Sequence, residues 1–257
     1  MLLERNKLSV TIITHNEEDN IRDCLTSVLW ADEIIVVDSG STDRTIEICR
    51  EFTDKVFFHV WTGMKEQKQY AVEKASHSWI FSIDADERAT EEIKLFILQE
   101  LQNPMHDGYR FPRRNYFLGK WLKHGGWYPD HVLRLFRKDR GYFGGINPHD
   151  KIIMRTDDVA TLKIPIIHHT YKTISQYIAK QNMYASISAR ELMRSGKRGA
   201  PYLIPLKVCA KFIETYVVKR GFLDGFRGFV VATGATYAIF WKYVEIWELS
   251  RKKSEGI

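Results

Sequence analysis

Two aspartates, Asp84 and Asp86, follow the apolar run WIFSI at 79–83 with one residue between them. If that run is a strand, alternation projects both carboxylates to the same side, about two residues' rise apart. Oxygen donors so placed suit Mg2+ or Mn2+ shared with substrate phosphates. The carboxyl ends of strands are also where open α/β sheets bind ligands. A second motif, VVDSGSTD at 36–43, puts Asp38 at the end of a run and Ser39, Gly40, Ser41 and Thr42 in a tight turn before a helix near Asp43. Such a turn offers backbone N–H donors, and Asp38 offers an acceptor for a base or ribose. The same letters also describe an ordinary strand-to-helix connection capped by Asp43. In the third motif, THNEED at 14–19, Thr14 and Asn16 could touch a ligand or cap a helix that starts near Glu17.

These motifs need elements to hold them. LSVTII (8–13), EIIVV (33–37), VFFHV (56–60) and WIFSI are short β-rich runs, separated by apolar residues at helical spacing such as Ile21, Leu25 and Val28. That alternation predicts a largely parallel sheet flanked by helices on both faces. A further helix is expected at about 91–102, capped by Thr90, with Glu91 and Glu92 at its positive end. Residues 1–105 read as a nucleotide-binding α/β half. Residues 106–170, just after Pro104, are punctuated by Gly125-Gly126, Pro129, Gly144-Gly145 and Pro148 and include the strand HVLRLF (131–136). Residues 171–257 read as a helical extension to a 1–170 core.

The chain has 257 residues, 44% of them hydrophobic and 13% aromatic, which excludes a disordered polypeptide. Three separated cysteines, Cys24, Cys49 and Cys209, make neither a disulfide framework nor a CxxC pair, so a reducing cytosolic setting is expected. The opening residues lack the apolar stretch of a signal peptide, and secretion is not expected. Residues 1–107 carry a net charge of −10 and residues 108–257 a net of +16, within an overall +6. An acidic half suits cations, and a basic half suits phosphates or an anionic membrane. The run GFVVATGATYAIFW (228–241) is only 14 residues long, too short for a span. Its aromatics suit an interfacial helix; packing on the core and assembly with like copies are the alternatives. The cations are dispersed among apolar helices and form no nucleic-acid motif, so no nucleic-acid partner is expected.

Taken together, THNEEDNI, VVDSGSTDRT and WIFSIDADER resemble the N-terminal signature of family 2 glycosyltransferases of GT-A fold. WTGMKEQKQYA, GGWYPDHVLRLFRK, GINPHDKI and KRGFLDGFRGF are similar to the branch that adds sugars, often glucose, to the lipopolysaccharide inner core. The resemblance implies a UDP-sugar donor, with Thr14, Asn16, Glu17 and Asp38 around the uridine. It implies a Mg2+ or Mn2+ and diphosphate site at Asp84 and Asp86, with Asp86 the direct ligand and Glu87 in support. Gln67 and Lys68 stand where the branch has a Gln-Arg pair; lysine keeps the charge but loses the planar fork. The acceptor implied is a lipopolysaccharide-core or related glycolipid, and the setting is the cytoplasmic face of the inner membrane.

An inverting transfer needs a base for the acceptor hydroxyl and cationic stabilisation of the departing nucleoside diphosphate. Asp150, in NPHDKI where the branch reads His-Glu, is the expected base, and Asp130, in WYPDHVLRLF, the alternative. His149 is read either as orienting the acceptor or as completing a turn. Arg134 and Arg137 face the diphosphate or an anionic acceptor, or else lie on a solvated strand face. Trp121, Trp127 and Tyr128 stack on a sugar or fill a core. His168-His169 has no acidic or cysteine partner at metal spacing and is read as structural. Phosphatases with a DxD nucleophile end their first strand with it, whereas here it ends the fourth run. Sugar-phosphate nucleotidyltransferases carry a Gly-rich basic N-terminal loop that THNEED does not offer. A non-catalytic nucleotide-sugar-binding protein is the remaining alternative, opposed by the intact acidic set.

Overall fold

The computed structural model describes residues 5–146, 149–196 and 201–255. The chain forms two compact units that are discontinuous in sequence: residues 1–114 with 130–168, and residues 115–129 with 169–257.

The first unit opens with strand–helix repeats: β1 (Leu8–Thr14), α1 (Glu18–Ser27), β2 (Glu33–Asp38), α2 (Thr45–Arg50), β3 (Val56–Phe58), α3 (Met64–Lys74) and β4 (Trp79–Ser82). All four strands are parallel, ordered β3-β2-β1-β4, and β1 and β2 are completely or almost completely buried. This explains why their sequences are continuous rather than alternating: helices cover both faces. The short strand β5 (Glu87–Arg88) leads into α4 (Glu91–Glu100), whose cap is Thr90 as expected, its side chain accepting the Ile93 N–H at 3.3 Å. Then follow β6 (Gly108–Phe117), β7 (Lys120–Trp121), β8 (Asp130–Arg137), the hairpin β9 (Gly141–Ile146) and β10 (His149–Met154), β11 (Val159–Thr161) and β12 (Ile166–Tyr171). From β4 the sheet continues as β8-β6-β12-β5, with β8 antiparallel to both β4 and β6.

One core cluster lies between the sheet and α1 and α4, built from Ile12, Ile21, Leu25, Phe81, Ile93, Ile97 and their neighbours. A second joins Ala71 and Val72 of α3, and Ala75 just after it, to Ile35, Val37, Phe136 and Phe143. Through that second cluster α3 packs on the β9–β10 hairpin. Close packing there requires glycine: a Cβ on Gly141 would lie 2.6 Å from the Phe136 ring.

At the start of β2, Glu33 ties three segments together. Its carboxylate accepts the Ser76 N–H at 2.8 Å and the Ser76 hydroxyl at 2.7 Å, and it also pairs with the Ser9 hydroxyl and the Lys55 ammonium. Burial pushes this carboxyl up, but Lys55, Ser9 and Ser76 outweigh it and bring the value down from 4.5 to about 2. The native value being depressed, the stabilisation is complete above pH 4.5 and is lost as pH falls through about 2. We expect Glu33→Gln to lower stability by about 2 kcal/mol near neutral pH, after allowing for the half-exposed lysine. The difference from wild type should close in acid, as urea titrations at a series of pH values would show.

The second unit contains β7, the ends of β6 and β12, and the helices α5 (Ile174–Arg194), α6 (Ile204–Phe212) and α7 (Gly225–Glu255). Helix α5 starts with a reciprocal cap between Thr173 and Gln176. A π-helical turn, Ile213–Val218, and a 3-10 turn, Gly221–Asp224, join α6 to α7. The core of this unit is Phe117, Leu122, Tyr177 and Val231. Helices α5 and α7 meet where Gly234 lets the Tyr177 ring in: a Cβ there would sit 2.3 Å from it. Among the described residues no helix is long and apolar enough to cross a membrane.

Candidate active site

The three sequence motifs end β1, β2 and β4, neighbours in the parallel sheet, so register alone gathers them. Thr14 stands beside Asp38, and Thr11 beside Ser82. Thr14 is buried, and its carbonyl accepts the Ser39 N–H at 3.2 Å. The turn after β2 is organised by Asp38, whose Oδ1 accepts the Gly40 and Ser41 N–H groups at 2.7 and 2.8 Å while Oδ2 accepts the Ser41 hydroxyl. Asp38 is only 1% exposed, so its carboxylate shapes the turn rather than offering a free acceptor. Asn16, at φ 54°, locks the first loop to this turn: its Oδ1 accepts the Thr42 N–H at 2.8 Å, and its own N–H donates to the Ser41 hydroxyl at 2.8 Å. Glu17 donates its N–H to Thr45 Oγ1 at 2.8 Å, and its carboxylate accepts the Asn20 amide at 2.7 Å. Asp43 accepts the N–H of Thr45 at 3.0 Å, but the cap position of α2 falls on Arg44, one residue later than expected, with no side-chain cap bond.

The segment after β4 differs from the extended geometry expected of it. The Glu87 N–H donates to the Asp84 carbonyl at 2.9 Å, which closes a tight turn over 84–87. The two aspartates therefore sit at different points of a turn, and alternation does not govern them. Asp84 enters a buried ion cluster: Lys68 Nζ lies 2.9 Å from its Oδ1 and Arg134 Nη2 lies 2.5 Å from its Oδ2. Burial alone would raise the Asp84 carboxyl, but Arg134 and Lys68 outweigh it and hold it well below the usual carboxylate range. Asp86 approaches His168, Oδ2 to Nε2 at 3.4 Å.

Lys68 is the hinge of the arrangement. Besides Asp84 it reaches Asp150 Oδ2 at 3.4 Å, so α3 brings the turn after β4 and the hairpin strand β10 to one ammonium group. Gln67 faces the other way: it is fully buried and bound to His59 through the ring Nδ1 at 2.8 Å and the carbonyl at 3.1 Å. Glu87, fully buried, accepts from Arg134 Nη2 at 2.6 Å and lies 3.4 Å from Arg113 Nη1. Arg113 in turn holds Asp130 Oδ2 through Nη2 at 2.5 Å and Nε at 2.9 Å. Burial would lower the Arg113 and Arg134 guanidinium values, yet the carboxylates around them raise both, so each stays charged. The result is an alternating chain from Asp150 through Lys68, Asp84, Arg134, Glu87 and Arg113 to Asp130.

Several expectations need correcting. His168 does have an acidic partner, Asp86, which sequence spacing hid because the contact is set by β12 pairing antiparallel with β5. Arg134 is 4% exposed and belongs to the buried cluster, not to a solvated strand face. Arg137 pairs with Trp79 at the opposite end of β4 and bonds Asp139, away from the motifs. Trp121 and Tyr128 pack edge to face at 5.2 Å, and Trp127 packs on Phe117, within the second unit. The His149 side chain lies outside the described residues. Arg113 was not singled out at all; its only signal is the β6–β8 register that sets it opposite Asp130.

Among the described residues no three His, Cys, Asp or Glu side chains converge as a complete metal shell. The converging pair of one carboxylate oxygen from Asp86 and one imidazole nitrogen from His168 fits Mn2+ that completes its shell with substrate oxygens and water, whereas Mg2+, which prefers oxygen donors, would be held through Asp86. Asp84, held by two cations, fits a direct ligand less well.

A parallel sheet extended by antiparallel strands, with acidic turns gathered at its carboxyl ends, is the layout of a GT-A-like fold. The chain belongs to glycosyl transferase family 2, whose profile matches residues 9–180. It is 31% identical to the lipopolysaccharide core biosynthesis glycosyltransferase LpsC of Rhizobium meliloti (strain 1021), over 92% of this chain and 91% of that protein. Its fold is similar to a mannosyltransferase from Pyrobaculum calidifontis solved with GDP-Man and Mn2+, at a TM-score of 0.54 and 14% identity, covering 95% of this chain and 88% of the other. Staphylococcus aureus TarS solved with UDP-GlcNAc gives a TM-score of 0.50 at 14% identity, covering 97% and 92%.

Proposed function

We propose that this glycosyltransferase moves a hexose, glucose by its branch resemblance, from a UDP-sugar to a hydroxyl of a lipopolysaccharide-core or related glycolipid acceptor, with inversion. The observation that carries the reading is Lys68, which spans Asp84 at 2.9 Å and Asp150 at 3.4 Å. One cation thus couples the turn that follows the donor-side sheet to the carboxylate best placed as base. The turn at 39–42 and the loop around Asn16 form the wall for the uridine, with their shape fixed by Asp38 and Asn16 rather than by free acceptors. Asp150 takes the acceptor hydroxyl proton as that oxygen bonds the anomeric carbon, and the bond from that carbon to the diphosphate breaks on the opposite side. Lys68 holds the Asp150 carboxylate in place at 3.4 Å, and it adds positive charge on the leaving-group side.

The ion chain holds four carboxylates against three cations, and Asp86 adds a further negative charge. A diphosphate therefore meets net repulsion unless a cation is shared with it. Mn2+ held by Asp86 and His168, or Mg2+ held through Asp86, would supply that neutralisation. Calorimetric titration with UDP tests the donor site: binding should require Mn2+ or Mg2+, disappear with EDTA, and disappear in Asp86→Ala. UDP bound equally well with EDTA present would remove the metal from this reading. We place the work at the cytoplasmic face of the inner membrane, where a lipid-linked acceptor is presented.

A further inference from the structure

The join between α6 and α7 exposes more apolar surface than a soluble helical turn needs. Phe226 is 79% exposed, Val218 70% and Leu223 55%, and Ile213, Val217 and Phe222 are exposed beside them. The aromatic side chains here are contiguous rather than scattered. Phe226 stacks with Phe229 at 6.3 Å, Phe229 meets Tyr216 at 5.9 Å, and Tyr216 meets Phe222 at 6.3 Å. Such a patch marks an interaction site.

The charge around it selects the partner. Residues 207–227 contain five cations, Lys207, Lys211, Lys219, Arg220 and Arg227, against Glu214 and Asp224. Asp224 is buried and turned inward, accepting the N–H groups of Lys123 at 3.1 Å and His124 at 2.8 Å. Lys219, which pairs with Glu214 at 2.5 Å, and Arg220 stand exposed, one glycine ahead of Phe222 and Leu223. A second copy docking through the same face would set these cations against each other. An anionic lipid surface instead accepts both features, with headgroups meeting Lys and Arg while aromatic side chains enter the headgroup–acyl boundary.

We propose that the face formed by residues 213–229 docks the protein on an anionic bilayer, lying on it and not crossing it. This deepens the reading of a lipid-linked acceptor by naming the surface that would meet the membrane. It stands on the helical unit alone.

The test is flotation of the full chain with mixed phosphatidylglycerol–phosphatidylcholine vesicles and with pure phosphatidylcholine vesicles, neither containing a sugar acceptor. Wild type should bind the anionic vesicles and release as salt rises from about 0.1 M to about 0.5 M. Phe222→Ser/Phe226→Ser should weaken binding about tenfold or more. Lys219→Gln/Arg220→Gln should weaken it at least about threefold and flatten the salt dependence. Both pairs are exposed, and unchanged UDP binding would confirm that each variant is folded. Failure of wild type to bind anionic vesicles, or serine variants that bind like wild type, would overturn the proposal. So would a wild-type dimer that the serine variant dissociates while vesicle binding stays the same, since the face would then join two copies. Because the vesicles carry no acceptor, a negative transfer assay leaves this result intact, and a negative flotation leaves the donor reading intact.

Discussion

Asp150→Asn is expected to lower kcat for sugar transfer by about a thousandfold, the usual worth of a positioned general base, while UDP binding stays within a factor of about two to three of wild type. The split follows from the geometry. Lys68 loses one partner at 3.4 Å but keeps Asp84 at 2.9 Å, so the donor side retains its arrangement. Removing one negative charge beside an anionic donor does not weaken its binding. Asp150→Glu should keep substantial activity, because the carboxylate that accepts the proton is retained. Asp130→Asn is the control that separates the two candidates. Its carboxylate is clasped by Arg113 through two nitrogens, at 2.5 and 2.9 Å, which suits ordering a strand better than accepting a proton. Single-turnover rates for the three variants decide the matter: full activity in Asp150→Asn with a large loss in Asp130→Asn would reverse the assignment.

The contrast between these carboxylates shows what the sequence could convey. Thr14, Asp38 and Asp84 each lie at or just beyond the point where strand periodicity gives way, a local signal that needs no knowledge of pairing. The parallel sheet then gathers them by register, with Thr14 beside Asp38. Thr90 was legible as a cap for the same reason, since a cap bonds within three residues. Alternation failed at Asp84 and Asp86 because a hydrogen bond from Glu87 to Asp84 turns the chain there, and turns have no period. His168 reads as merely structural and Arg113 carries no local signal because their partners, Asp86 and Asp130, are brought to them by antiparallel pairing, whose register is a tertiary property. Lys68 came into view only through resemblance, since nothing local to α3 shows that a hairpin eighty residues later will reach it. The join of residues 115–129 with the C-terminal helices is likewise invisible in chain order.

Glu87→Leu should destabilise the protein by about 3–5 kcal/mol in urea unfolding, the range for breaking a buried ion pair by deleting one partner. Glu87 is fully buried, and it accepts from Arg134 at 2.6 Å and from the Asp84 N–H at 3.1 Å, besides facing Arg113 at 3.4 Å. Leucine cannot replace these bonds, so Arg134 keeps only Asp84 and the turn loses its brace. The double variant Glu87→Leu/Arg134→Met should recover part of the loss, because the stranded guanidinium is then gone as well. Asp84 is held low by Arg134 and Lys68, so its stabilisation is present above the unfolded carboxylate value and is lost only as pH falls through a native value well below it. A loss under about 1 kcal/mol, or no recovery in the double variant, would mean that the cluster is not what holds the turn after β4. The donor-side turn and Asp150 would then be joined by Lys68 alone.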